Sequence, residues 1–121
     1  MRVSGKVTET VDRDMLEAIL DSVTEPILFA DTSHTIRYMN KAAVAHYEEG
    51  EGLLGKSLLE CHNQGSQELM TEILEAMKGG ESERIIADGK ERRIYMRAVR
   101  GVDGRLIGYY ERYERQPAEL P

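Results

Sequence analysis

Among its 121 residues the chain has a single cysteine, Cys61. An internal disulfide is therefore excluded, which fits a reducing compartment. No apolar run approaches the ~20 residues that a membrane-spanning helix needs. The N-terminus, with Arg2, Gly5 and Lys6 among Val, Ser and Thr, lacks the apolar centre of a signal peptide. A cytoplasmic location away from membranes is expected. Clustered Lys and Arg are missing from every helical segment, and the formal net charge is -6, so nucleic acid is not an expected partner. Chemistry is thin too. No Gly-rich phosphate loop follows a strand, no serine sits in a nucleophile elbow, and Asp31 and His34 share a turn without a nearby nucleophile. The paired acids Glu48-Glu49 and Glu81 with Glu83 lie in polar links, where solvated charge is the default. The sequence predicts a protein that is not an enzyme, and it carries no kinase, cyclase or helix-turn-helix output of its own.

What is present is a regular order of elements. Residues 26–31, Pro-Ile-Leu-Phe-Ala-Asp, form a short apolar run closed by the turn cluster Thr32-Ser33-His34. Residues 35–40 follow as a second strand, and Asn40 is placed to cap a helix. A short Ala-rich helix reaches about Tyr47, a link punctuated by Gly50 and Gly55 follows, and the segment Lys56 to His62 precedes a longer helix. Ser66 is the expected cap of that helix. Leu69, Met70, Ile73, Leu74 and Met77 recur at helical spacing, and Gly79-Gly80 supply the stop. Three strands, Glu83 to Ala87, Glu91 to Val99 and Arg105 to Tyr113, are joined through Asp88-Gly89 and Asp103-Gly104, both hairpin signals.

The hairpin that ends in Asp31 and reaches Asn40 after its second strand resembles the PAS family of sensor domains, and the resemblance extends from about Met15 to Tyr113. It implies an α+β fold: a five-stranded antiparallel sheet with helices on one face and an N-terminal flanking helix. The expected division is an N-terminal tail over 1–11, the flanking helix over 12–24, the PAS core over 25–114 and a C-terminal tail over 115–121. At the first turn, where the family often has Gly, this sequence has Ser33 and His34. The family shares a scaffold while its ligands differ widely, so the resemblance fixes fold better than chemistry.

The flanking helix carries Met15, Leu16, Ile19, Leu20 and Val23 as one apolar stripe opposite Asp14, Glu17 and Asp21. In PAS proteins such a helix commonly packs on the open sheet and joins dimer contacts; covering its own sheet is the alternative. Charge is uneven. Residues 1–31 hold seven acids against Arg2, Lys6 and Arg13, whereas 84–105 are rich in arginine. The acidic helix and the arginine-bearing sheet face could therefore meet, within one subunit or between two, although exposed pairs of this kind are worth only ~0–1 kcal/mol each. Alternation sends Ile94, Met96 and Ala98 inward and Tyr95 and Arg97 outward. In the last strand Tyr109 and Tyr113 are expected to face outward, as dimer-interface candidates beside the helix stripe.

The resemblance implies a pocket lined by the segment 55–63. Its expected walls are Phe29, Met39, Leu58, Met70, Ile73, Ile94 and Met96, with His46, Cys61 and His62 as polar handles; a dry core made of the same residues is the alternative. Three chemistries compete there. A light-oxygen-voltage flavin site needs Arg-Phe-Leu-Gln after its cysteine, and Cys61 is followed by His62-Asn63-Gln64. Haem would use His62 or His46 as axial ligand. A reactive thiolate at Cys61 would need His62 beside it in space and not only in sequence. Zinc lacks paired ligand spacings. The implied function is a sensory and signal-transduction domain of bacterial or archaeal type, in two-component signalling or transcription regulation. It would act as a homodimer that takes a small apolar or mixed-polarity ligand and passes a shape change to an effector protein, or else serve only as a dimerisation module.

Overall fold

The computed structural model describes residues 12–116. The expected tail over 1–11 and most of the one over 115–121 lie outside them. Helix α1, Arg13–Asp21, leads into strands β1, Ile27–Asp31, and β2, Ile36–Met39. Helix α2, Lys41–His46, two single-turn 3-10 segments at Gly50–Leu53 and Leu58–Cys61, and helix α3, Gln64–Lys78, follow. Strands β3, Glu83–Asp88, β4, Arg92–Arg100, and β5, Leu106–Arg115, close the chain. The sheet is antiparallel with spatial order β2-β1-β5-β4-β3, so the last strand is the central one and pairs with the first.

Local chemistry explains the ends of these elements. Asp31 builds the β1–β2 turn by accepting from the Ser33 and Thr35 amides at 2.9 and 3.1 Å. This turn puts His34 at φ 63°, the one non-glycine residue with positive φ among those described. Asn40 caps α2 by accepting from the Ala43 amide at 2.9 Å. The cap of α3 is Asn63 and not Ser66: Asn63 Oδ1 accepts from the Ser66 amide at 2.9 Å, so the helix begins earlier than expected. Both residues are good caps, and the Gln67 side chain, donating to the His62 carbonyl at 2.8 Å, favours the earlier start.

The two faces of the sheet differ sharply. On the inner face Leu28, Ala30, Ile36, Met39, Met96 and Tyr109 pack against Met70, Ile73, Leu74 and Met77 of α3, all buried. Tyr109 thus corrects its expected outward placement. It stands in register between Ala30 and Ala98, two small side chains that leave room for the ring, and its hydroxyl meets Nδ1 of buried His34 at 2.7 Å. Tyr113 lies on the same inner side, paired with Ile94. The outward tyrosine is Tyr110, flanked by Phe29 and Arg97. Phe29, expected in the pocket, is therefore on the outer face, paired also with Tyr38 of β2, and its ring covers Gly108. A Cβ at Gly108 would run into the Ala30 carbonyl oxygen and come within 2.7 Å of that ring, which is why glycine stands there.

The rest of the outer face carries Arg112, whose guanidinium lies over the Tyr95 ring at 4.1 Å and pairs with Glu83 at 2.6 Å. The hydrogen bond from Arg112 holds the Glu83 carboxyl below the usual range. Arg84, Arg93 and Arg97 also pair close by, with Glu81, Asp88 and Glu83, while Arg100 donates to the Met77 carbonyl of α3. Of the N-terminal acids, Glu25 meets Arg92 and Arg115, and Asp31 meets Arg37. The acids of α1 do not meet the strand arginines in this subunit.

No residue of α1 is buried, and Met15, Leu16, Ile19, Leu20 and Val23 are all exposed, Ile19 by 61%. The helix does not cover its own sheet. Its C-terminal end is instead tied down by Asn40, whose Nδ2 donates to the carbonyls of Leu20, Val23 and Glu25 at 3.1–3.3 Å. Asp21 adds two bonds, accepting from the Lys41 amide and the Tyr38 hydroxyl.

Candidate functional site

Between the inner face of the sheet, α3 and the segment that follows α2 lies a cavity of about 420 Å³. The edge of β2 positions its loop wall. The Ile36 amide donates to the Lys56 carbonyl at 2.9 Å, the Gly55 amide to the Ile36 carbonyl at 2.8 Å, and the Leu58 amide to the His34 carbonyl at 2.7 Å. The 3-10 turn that follows is capped by Ser57 and carries Leu58 inward, with Cys61 and His62 at the cavity.

Of the expected pocket residues, Leu58, Cys61, His62, Met70 and Ile94 line this cavity. Met39, Ile73 and Met96 are packed in the core behind it. His46 is exposed and stacks edge-on against Tyr47 and Tyr113, with centroids 5.0 and 4.9 Å away, so it buttresses the wall from outside. Tyr47 and Tyr113 are themselves wall residues. Their hydroxyls meet at 3.1 Å, and burial pushes both phenols above their ordinary range.

The residue that sequence reasoning missed is Glu111. It lines the cavity while only 4% exposed, and its Oε2 is buried with no hydrogen-bond partner. Its neighbours in the ladder are Leu28 and Met96, both apolar and buried, so the flanking strands offer no side-chain donor. Burial pushes the carboxyl up to about 7, with only the nearby His62 acting in the opposite sense. A signal did exist. Alternation groups Glu111 with Tyr109 and Tyr113, so the acid shares their face, and it reads as a core acid once Tyr109 is known to point inward.

His62 Nδ1 lies 2.8 Å from the Leu58 carbonyl, which can only accept, so Nδ1 carries the hydrogen and Nε2 is left free. Free Nε2 suits an axial ligand. The wall, however, contains Glu48, Glu49 and Glu111 and no Lys or Arg, so the two carboxylates of a haem would meet like charge. The residues present do not fit haem. Burial, with Glu49 close by, pushes the Cys61 thiol up, away from the thiolate form. Among the described residues no group of three or more His, Cys, Asp or Glu is placed to hold a metal ion. None of the described helices is long and apolar enough to cross a membrane.

The family profile described as PAS fold matches residues 20–115. No curated protein sequence matches the chain. Several solved structures do. A C-terminal domain from Streptococcus mutans superposes with a TM-score of 0.72 at 18% identity, covering 87% of this chain and 85% of that one. The PAS domain of a protein from Colwellia psychrerythraea gives 0.64 at 16% identity, covering 85% and 95%. A sensory box sensor histidine kinase from Vibrio cholerae gives 0.61 at 14% identity, covering 88% and 93%. At such identities the likeness is one of fold.

Proposed function

Because the chain belongs to the PAS fold family, whose members are generally sensory signalling modules and not enzymes, we propose that it takes up a small molecule in the cavity and reports its presence through α1. The observation that carries this reading is Glu111. A buried carboxyl without a partner is costly in a finished core. Beside a cavity of about 420 Å³ it is a polar handle waiting for an occupant.

A route for the signal is short. Tyr47, at the C-terminal cap of α2, forms part of the cavity wall, while Asn40, at the N-terminal cap of the same six-residue helix, holds the end of α1. An occupant that displaces Tyr47 would move α2 as a rigid piece and change the hold of Asn40 on α1. Such a shift requires that the ligand bind one arrangement better than the other. The apolar stripe of α1, exposed along its whole length, supports contact with a second copy of the chain or with an effector. Dimerisation through α1 and a cytoplasmic setting complete the proposal.

Native mass spectrometry of freshly purified protein tests the ligand reading. The expected result is an added mass that disappears in Ile94→Trp, a variant that fills the cavity from β4. A bare protein that no small-molecule mixture stabilises against heat would leave the domain as an interaction module only.

A further inference from the structure

We propose, resting on the reading of the cavity as a ligand site, that its occupant is an amphiphilic organic cation: an ammonium or protonated nitrogen base whose N–H group binds the Glu111 carboxylate while its apolar body fills the space toward α3. Three features point there. First, Glu111 is an acceptor without a donor, since Leu28 and Met96 flank it in the ladder and its Oε2 has no partner. Second, the charged side chains along the wall are acids, Glu48 and Glu49 besides Glu111, with His62 as the one ionisable base and no Lys or Arg. An anion would meet the buried Glu111, beyond the exposed Glu48 and a Glu49 already paired with Lys56 at 3.5 Å, and a purely apolar molecule would leave Glu111 unpaired. Third, apart from Ser66 and Cys61 the remaining wall is largely apolar, with Leu53, Leu58, Met70, Ile86 and Ile94, which suits an alkyl or aryl body. The Tyr47–Tyr113 pair uses one hydroxyl hydrogen between its two oxygens, and the oxygen lone pairs left over can accept a second N–H of the ligand.

The cation would be bound by the ionised form of Glu111. A carboxyl that titrates near 7 is about nine-tenths ionised at pH 8 and about one-tenth at pH 6. Affinity for a cation should therefore fall about tenfold across that interval. The other groups along the wall are His62, Cys61, Glu48, Glu49, Tyr47 and Tyr113. Of these His62 is the one whose charge acts on Glu111, so a His62→Gln variant is the control.

Titration calorimetry with octylammonium, octanol and octanoate separates the outcomes, since the three share one tail and differ in the charge of the head. In the unmodified protein at pH 8, octylammonium should bind at least about tenfold more tightly than octanol, and octanoate should bind least. Glu111→Gln should reduce octylammonium to the level of octanol and abolish the pH dependence, which His62→Gln should retain. If octanol or octanoate matched octylammonium, the cavity would stand as a ligand site and the cationic class would be wrong. If none of the three bound and the protein also flew bare in native mass spectrometry, the ligand reading would fall with it. Should Glu111→Gln fold poorly, the ranking of the three heads in the unmodified protein still decides.

Discussion

At the scale of the residue, Glu111 sets the pH response of the fold. In the unfolded chain its carboxyl titrates near 4.5, and in the native state burial moves it to about 7. Between those values the folded protein binds more protons than the unfolded one, so stability falls as pH rises through the interval and levels off above it. The difference corresponds to about 3 kcal/mol. Glu111→Gln should remove that slope. Its stability advantage over the unmodified protein is expected to be small near pH 4.5 and to reach roughly 3 kcal/mol above pH 7, read by urea unfolding at several pH values. A constant difference across that range would mean that Glu111 has a partner in the folded protein. His34 acts at the other end. Burial holds its pKa below 6.5, so it stays neutral against Tyr109 and costs stability as acid protonates the unfolded chain.

At the scale of the element, Asn40 joins three pieces of structure with one side chain. Its Oδ1 accepts from the Ile27 and Ala43 amides, which start β1 and α2, and its Nδ2 holds the end of α1. Replacing it with Ala strips the buried Ala43 amide and the part-buried Ile27 amide of their acceptor and releases the end of α1. The expected cost is about 3 kcal/mol, more than a simple helix cap, with faster amide exchange in α1 than in α3. A loss below about 1 kcal/mol would show that water replaces the side chain and that α1 is not tethered through it. Asn40 was legible in the sequence as a cap, because one side chain preceding a helix is a local matter. Its grip on α1 was not, since Leu20 and Val23 come near it only once β1 and β2 have paired.

At the scale of the whole molecule, the two faces of the sheet divide stability from contact. Met96, fully buried beneath α3, should cost about 2–5 kcal/mol on replacement by Ala, whereas Arg97, one residue on and facing out, should cost well under 1. Comparable losses would reverse the assignment of the faces. The exposed stripe of α1 belongs to the same scale. The unmodified chain is expected to be a dimer by light scattering at micromolar concentration, and Leu16→Glu with Leu20→Glu a folded monomer. An unmodified protein that scattered as a monomer would sink dimerisation through α1.

The sequence by itself determined the order of the elements, their turns and the family, because hydrophobic period, capping residues and Asp-Gly hairpins act over a few neighbours. It also separated Ile94, Met96 and Ala98 from Tyr95 and Arg97, since strand parity is local. Only the tertiary structure decided which parity faces the core in β1 and β5. Phe29 went outward and Tyr109 inward because the pairing of β1 with β5 brings Ala30 and Ala98 to either side of Tyr109 and opens a space that no stretch of chain contains alone. The same pairing set Glu111 between Leu28 and Met96 at the cavity wall. Burial is a property of the assembled sheet, and an acid that reads as a solvated charge in the sequence becomes a site when the strands on both sides of it supply only apolar neighbours.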